Sequence, residues 1–280
     1  IYSKEFYDGI LANNTKQFAG KKISEAKAEV KEWITKIGSA DILLELTNSP
    51  VKCRCGTECV VKILSNQWFL DYSNKDWKQK AHRCFEGMNI LPNEIRSEFD
   101  KVLDWLRERA CARQHGLGTK VPWDKEWLVE SLADSVIYMA FYIISKYVNK
   151  KEINGNDLTD EFFDYVFYGK KDSGEIANKI NITKEKLEGI RNEFLYFYPV
   201  DSRHSGRDLV PNHLTFFVLN HVALFPEENW PQEIVVNGSV LMAGKKMSKS
   251  MGNIIPLRDA VRKHGADPIR LTILISAELL

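Results

Sequence analysis

The final part of the sequence contains two consecutive units in which a short strand is followed by a polar loop. In the first unit, residues 198–208 lead into an apolar helix predicted over 209–224. In the second, a strand over 233–238 is followed by a loop rich in lysine, serine and glycine over 244–253. Such units build parallel sheets covered by helices, and ligands bind beyond the carboxyl ends of the strands. The pattern predicts an α/β fold containing the second half of a doubly wound, Rossmann-like parallel sheet with helical inserts.

The composition is that of a soluble globular chain. The 280 residues are 44% hydrophobic and 28% charged, with a net charge of +1, so any nucleic-acid contact must rest on local patches. Five unevenly spaced cysteines predict no disulfide framework and favour the reducing cytoplasm. The apolar run 132–148 is interrupted by Asp134 and Lys146 and falls short of the ~20 residues of a membrane span. We expect no membrane contact, and the start at Ile1 indicates a piece of a longer protein.

Four segments follow one another along the chain. Residues 1–50 form a small piece with a helix that Ser24 can cap, and 51–66 form a small cysteine-containing, knuckle-like β element. Residues 67–196 are mainly helical, with one helix predicted from about 125 to 147 and a helical insert over 150–195. Residues 197–280 form the second nucleotide-binding half, which carries the lysine loop.

The lysine loop has the composition of a mobile phosphate-binding segment. Gly244 and Gly252 lie at either end and tolerate positive φ, so they can serve as hinges. Two lysines supply positive charge, and two hydroxyls with the loop amides can donate hydrogen bonds to a polyphosphate. A solvated basic loop is the alternative, and the Walker A pattern is absent. The central residues are Lys246, Met247, Ser248, Lys249 and Ser250.

A second candidate site precedes the lysine loop by about 40 residues. Gly206 allows the backbone to approach a sugar, and the carboxylate of Asp208 can accept hydrogen bonds from both ribose hydroxyls. The pair alone is a weak signal, because an exposed aspartate at a helix start is common. His213 follows on the apolar helix, where a lone histidine is more often a satisfied core residue.

The cysteines near residue 55 form the candidate metal site. Cys53, Cys55 and Cys59 lie in a turn that resembles half of a zinc knuckle, but tetrahedral zinc requires a fourth ligand. Cys84 or Cys111 could supply it, although neither belongs to a second knuckle. The alternative is a reduced cysteine cluster without metal.

Several segments together resemble the class I aminoacyl-tRNA synthetases, and among them the leucyl-tRNA synthetases of archaeal and eukaryotic cytosolic type. The match extends across nearly the whole chain. The matching segments are 67–72 (QWFLDY), 117–119 (LGT), 122–124 (PWD), 127–135 (WLVESLADS), 137–142 (IYMAFY), 198–201 (YPVD), 205–213 (SGRDLVPNH) and 246–250 (KMSKS).

The resemblance implies a role for each matching residue. Lys249, helped by Lys246, would neutralise the pyrophosphate while leucine attacks the α-phosphate of ATP, with Mg²⁺ as the companion ion. Gly206 and Asp208 would hold the ribose, and His213 would line the pocket for the leucine side chain. The implied reaction forms leucyl-adenylate and then transfers leucine to tRNA(Leu).

The chain also departs from the family pattern. Its first signature, His-x-Gly-His, is absent, and residues 204–207 (HSGR) have the wrong fourth residue. Residues 1–50 resemble the trailing end of the inserted editing domain, and the end of the chain resembles the start of the link to the anticodon domain. We therefore expect a catalytic-core fragment that needs the upstream half of the same synthetase for activity. An isoleucyl- or valyl-type enzyme and a non-catalytic, synthetase-like RNA-binding module remain alternatives.

Overall fold

A computed structural model of the chain divides into two compact units, Ile1–Leu64 and Ser65–Leu280. Their boundary lies beside the border expected between residues 66 and 67, while the division into four segments stays a prediction. The residues that the structure describes are 8–45, 50–53, 55–63, 65–238, 240–242, 244–247 and 252–276.

The first unit is built around one helix, α1 (Ile23–Lys36). This helix begins one residue before Ser24, with Lys22 at the N-cap position, so the expected Ser24 cap is wrong. The rings of Phe18 and Trp33 meet edge to face at 5.6 Å. Around Cys53 and Cys55, the described residues form one antiparallel bridge, which joins Lys52 to Glu58.

The second unit contains both sheets and helices. Its strands are β1 (Phe69–Leu70), β2 (Asn89–Leu91), β3 (Arg109–Ala110), β4 (Ala112–Arg113), β5 (Lys120–Val121), β6 (Asp124–Val129), β7 (Arg203–Gly206), β8 (Glu233–Asn237), β9 (Leu241–Met242) and β10 (Lys245–Lys246). Its α-helices are α2 (Lys75–Gly87), α3 (Arg96–Trp105), α4 (Ser131–Asp134), α5 (Tyr138–Asn149), α6 (Asp160–Tyr168), α7 (Ser173–Lys179), α8 (Lys184–Phe197), α9 (Thr215–Leu224), α10 (Leu257–His264) and α11 (Ala266–Ser276).

A parallel sheet with the strand order β2–β8–β7 is the centre of the second unit. The middle strand β8 buries three consecutive residues, Ile234, Val235 and Val236, as expected for a strand covered on both faces. Helices α2, α3 and α9 supply the cover, and the rings of Tyr72 and Phe216 stack at 5.0 Å. The α/β fold with a parallel sheet is therefore confirmed.

The helical insert forms a second core from α5 to α8. Thr159, Asp172 and Thr183 cap α6, α7 and α8, because each side chain accepts a hydrogen bond from an amide in the first turn. Gly169 ends α6 in the left-handed region at φ 65°. A Cβ at this glycine would lie 2.5 Å from an Arg191 guanidinium nitrogen, so the backbone favours glycine and a larger residue would also displace the Arg191 side chain. The predicted insert is confirmed.

The single helix predicted from about 125 to 147 is wrong. Its first part is strand β6, which forms an antiparallel sheet with β4 and β5. Trp127 is buried in a small core with Ala112 and Val121, and this burial outweighs helix propensity. Glu130 then starts the short helix α4, its carboxylate accepting from the Leu132 amide at 2.7 Å. Nowhere in the described ranges is a helix both long and apolar enough to cross a bilayer.

Candidate functional site

Two neighbouring strands of the parallel sheet end beside each other. Strand β7 ends at Gly206 and β8 ends at Asn237, and these two residues are paired in the register. The Gly206–Asp208 turn and the chain that leads into the lysine loop therefore start from the same edge of the sheet. This edge is formed by the carboxyl ends of the strands, where ligands bind in open α/β sheets.

The turn after β7 holds a carboxylate against the strand end. An added Cβ at Gly206 would lie only 2.7 Å from Asp208 Oδ1, so the carboxylate occupies the space that a side chain would fill. Asp208 itself is exposed, in the 3₁₀ turn Arg207–Leu209. The guanidinium of Arg207 is hydrogen bonded to both carboxylate oxygens of Glu98 on α3. The predicted Gly–x–Asp pair therefore lies together at the end of β7, with the carboxylate exposed to solvent.

The lysine loop begins with a hairpin. Strands β9 and β10 pair antiparallel, with Lys246 opposite Leu241, and Gly244 lies in the turn at φ 72°. The Met247 amide extends the pairing by donating to the Val240 carbonyl at 3.3 Å. Gly252 has φ 66°, so both predicted hinge glycines adopt positive φ. Ser248, Lys249 and Ser250 lie outside the described residues.

His213 is buried in the irregular stretch that leads into α9. The predicted helix over 209–224 starts with a 3₁₀ turn and a π-helical turn, Val210–Leu214, before α9. The imidazole is 7% exposed, and its Nε2 lies 3.0 Å from Ser135 Oγ and 3.2 Å from the Ser135 carbonyl oxygen. Burial first, and the charge of Arg203 second, lower the pKa of His213. The ring is therefore neutral at pH 7.

Arg203 and Tyr138 form a contact that the sequence did not indicate. Arg203 is the first residue of β7 and donates from Nη1 to the Tyr138 hydroxyl at 3.1 Å. Its guanidinium carbon lies 5.7 Å from the centre of the Tyr138 ring and 5.9 Å from that of Phe217. Because Tyr138 and Arg203 are 65 positions apart, no local pattern connects them.

The described part of the cysteine segment gives no support to the predicted zinc site. Cys53 and Cys55 are joined by a disulfide, contrary to the expectation of reduced cysteines, while Cys59 has a free thiol. In the same segment the Cys53 amide donates a hydrogen bond to the Thr57 carbonyl oxygen at 2.9 Å. Cys84 is buried, which raises the pKa of its thiol to about 12, and Cys111 is half-buried. In the part of the chain that is described, no group of three or more His, Cys, Asp or Glu side chains is placed to hold a metal ion.

The fold and the site together define a class of protein. A parallel sheet places a glycine–aspartate turn and the start of a lysine loop at one edge, and residues 19–280 match the family of class I tRNA synthetases for isoleucine, leucine, methionine and valine. The chain belongs to this family.

Two similar relatives are both leucine–tRNA ligases. The chain is 50% identical over 278 residues to the leucine–tRNA ligase of Archaeoglobus fulgidus, which covers 99% of the chain and 30% of that protein. It is 47% identical over 279 residues to the leucine–tRNA ligase of Methanocaldococcus jannaschii, and this match covers 100% of the chain and 30% of that protein. The chain thus spans about 30% of the length of these relatives.

A solved structure has the same fold. The methionyl-tRNA synthetase of Mycobacterium tuberculosis, in complex with methionyl-adenylate, superposes with a TM-score of 0.50. The match covers 79% of this chain and 35% of that protein at 18% identity, and at that identity the likeness concerns the fold.

Proposed function

We propose that the chain is part of the catalytic core of a leucine–tRNA ligase. The parent protein would activate leucine with ATP, forming leucyl-adenylate and pyrophosphate, and would then transfer leucine to tRNA(Leu) in the cytoplasm. The observation that carries this proposal is the pairing of Gly206 with Asn237, because it brings the ends of β7 and β8 to one edge. The names of relatives at 50% and 47% identity support leucine as the amino acid.

In this proposal the two loops divide the nucleotide between them. Lys246 and Lys249 place positive charge on the β- and γ-phosphates, where negative charge grows as the α-phosphate is attacked. Met247, Ser248 and Ser250 complete the loop with amide and hydroxyl donors. Gly206 and Asp208 receive the ribose, for which the carboxylate against the strand end is an acceptor. The chemistry then consists of positioning and charge stabilisation.

His213 would line the pocket for the leucine side chain. A buried, neutral imidazole is compatible with an apolar partner, whereas a charged one would have to lose water when leucine binds. The Ser135 oxygens hold one edge of the ring.

The proposed reaction includes Mg²⁺ but not zinc. Among the described residues no group of three or more His, Cys, Asp or Glu side chains is placed to hold a metal ion, and in this proposal Mg²⁺ would arrive with the phosphates of ATP. Such a complex supplies further neutralisation of phosphate charge. Zinc at Cys53, Cys55 and Cys59 gains no support from the arrangement of the cysteines, and no step depends on it.

The test is leucine-dependent exchange of pyrophosphate into ATP, measured on the full-length protein. Lys249→Ala should slow exchange by about 10²–10³-fold, because one lost transition-state contact of this kind is worth roughly 3–4 kcal/mol. The exposed Lys263 on α10 provides the matched control, and Lys263→Ala should exchange normally.

Two outcomes would contradict the proposal. A loss below tenfold for Lys249→Ala would mean that this lysine does not contact the phosphates. Faster exchange with isoleucine or valine than with leucine would assign the chain to another amino acid. The 280-residue chain alone lacks the His-x-Gly-His signature and should not exceed its own Lys249→Ala variant.

A further inference from the structure

A bidentate ion pair ties the turn Arg207–Leu209, which carries Asp208, to helix α3. Arg207 donates from Nε to Oε2 of Glu98 at 3.4 Å and from Nη2 to Oε1 of the same carboxylate. The two residues are 109 positions apart, so their contact forms only in the folded chain. Most exposed ion pairs contribute little, but a guanidinium that donates to both oxygens of one carboxylate also fixes their mutual orientation. The pair can therefore hold the turn in one position.

Glu98 belongs to a helix that is itself firmly packed. Its neighbour Phe99 is fully buried, and the Phe99 ring lies 4.8 Å from the ring of Phe85 on α2. Val102 and Leu103 of α3 are buried in the same core. A carboxylate carried by such a helix is a fixed anchor for a group on a neighbouring turn.

The turn is held by packing only at its two ends. Strand β7 pairs with β8 as far as Gly206, and Val210 is buried in the core. Between these points Arg207 and Asp208 are both exposed. The contact with Glu98 therefore acts on the part of the turn that the core does not cover.

We propose that Glu98 is a positioning residue of the nucleotide site, which fixes the turn so that the Asp208 carboxylate meets both ribose hydroxyls of ATP. This inference rests on the proposed role of Gly206 and Asp208 in holding the ribose. Glu98 does not itself touch ATP in this scheme, and its effect is transmitted by Arg207. An acceptor that is already in place binds its ligand more tightly, because less ordering is needed when the ligand arrives.

The first measurement is the KM for ATP in leucine-dependent pyrophosphate exchange by the full-length protein. Glu98→Ala should raise this KM about three- to tenfold, equivalent to roughly 0.6–1.4 kcal/mol, while the KM for leucine stays at the wild-type value. Alanine is a good helix former, so α3 should remain intact. An unchanged ATP KM in Glu98→Ala, or an equal rise in both KM values, would overturn the inference.

Glu161→Ala is the matched control for this measurement. It also removes a carboxylate from an ion pair, because Glu161 accepts a hydrogen bond from Lys179 at 2.8 Å in the helical insert. Its ATP KM should equal that of the wild-type protein. A rise as large as that in Glu98→Ala would show a general effect of lost ion pairs and would overturn the role of Glu98.

A double-mutant cycle tests whether Glu98 acts through Arg207. Arg207→Ala and the double variant Glu98→Ala/Arg207→Ala should each raise the ATP KM as much as Glu98→Ala does, because all three remove the same contact. Additive losses would show that Arg207 contacts the nucleotide directly, and would overturn the inference.

Arg207→Lys serves if Glu98→Ala does not fold. Lysine keeps the positive charge but lacks the planar fork that donates to both oxygens of a carboxylate. We expect the same rise in the ATP KM as for Arg207→Ala. A wild-type ATP KM in Arg207→Lys would show that the bidentate contact does not position the turn, and would overturn the inference.

A nucleotide without ribose hydroxyls separates this inference from the proposed function. The wild-type protein should have a lower KM for ATP than for 2′,3′-dideoxy-ATP, and Asp208→Ala should lose this preference. Glu98→Ala should reduce the preference by about three- to tenfold, because the contact with the hydroxyls is the one that is impaired. If the wild-type protein has no preference, the ribose role of Asp208 is wrong, and this inference is overturned with it. A preference that Asp208→Ala abolishes and Glu98→Ala retains in full would overturn the role of Glu98 alone.

Discussion

At Gly206 the absence of a side chain decides where a carboxylate lies. The backbone there has φ −78°, which any residue adopts, so conformational freedom is not the reason for glycine. The reason is space, since a Cβ would lie 2.7 Å from Asp208 Oδ1. Alanine could be accommodated only if the aspartate moved away from the strand end.

Gly206→Ala should therefore impair nucleotide binding without impairing folding. We expect the KM for ATP in the full-length exchange assay to rise about tenfold, which corresponds to roughly 1.4 kcal/mol and is the order of one weakened hydrogen bond to a charged group. Gly189→Ala is the matched control, because an added Cβ on α8 meets nothing within 4 Å. A normal ATP KM in Gly206→Ala would show that Asp208 does not hold the ribose.

The sequence could predict some of these residues and not others for a physical reason. Gly206 and Asp208 are two positions apart, so their relation is visible in the chain itself. His213 and Ser135 are 78 positions apart and meet only when the turn Val210–Leu214 lies beside the end of α4. Arg203 and Tyr138 are 65 positions apart and likewise meet only in the folded chain. Residues that act across the fold carry no local signal.

For the secondary-structure elements, helix caps predicted the structure better than apolar content did. The insert was predictable because Thr183 and Gly169 mark a helix start and a helix end that tertiary packing does not alter. The segment from 125 to 147 was not, because its mainly apolar sequence fits a helix as well as a strand, whereas its first part pairs with β4 and β5. An apolar run does not distinguish a buried strand from a buried helix.

Helix α9 carries a buried hydrogen-bonded chain that makes stability depend on pH. The His221 ring contacts the Phe217 carbonyl through Nδ1 at 2.8 Å and the Tyr198 hydroxyl through Nε2 at 3.2 Å. Burial lowers the pKa of His221 to about 4 from an ordinary value of 6.5. The folded protein thus keeps this ring neutral at pH values where the unfolded chain already binds a proton.

The free energy of unfolding should fall as the pH drops from 6.5 to 4. The folded pKa is depressed, so the stabilisation is complete above pH 6.5 and is lost by about pH 4, with His221 contributing about 3 kcal/mol. Urea unfolding at a series of pH values measures this slope, which is steepened by His213 in the same direction. The double variant Tyr198→Phe/His221→Leu removes the titrating ring and its partner together and should flatten the curve.

His115→Gln serves as the control for that experiment, since His115 is exposed and its replacement should leave the pH dependence as it is. If the double variant keeps the wild-type slope, His221 is not the group whose protonation opposes folding. A slope that appears only below pH 4 would point to the carboxylates instead.

At the scale of the whole molecule, helix α11 exposes a run of large apolar side chains. Four large side chains of α11 are exposed, among them Leu274 at 72% and Ile275 at 74%, together with Leu271 and Ile273. Large apolar side chains that lie exposed next to each other are typical of an interaction site or an aggregation hazard. The described strands β2 and β7 also form the two edges of the parallel sheet, which can pair with further strands.

We predict that the 280-residue chain self-associates through α11 at micromolar concentrations. Sedimentation velocity should show dimers or larger species whose fraction rises with protein concentration and persists in high salt, because apolar burial is not screened. Replacing Leu274 and Ile275 by glutamate should shift the distribution toward monomer. The neighbouring exposed Lys263→Glu change alters charge without removing apolar area and should have little effect. If the chain still sediments as a monomer at about 100 micromolar, α11 is not an association surface. This concentration is far above a dissociation constant of about 1 micromolar. Association that survives the α11 double variant would instead locate the contact elsewhere, with the open edges of β2 and β7 as the next surfaces to block.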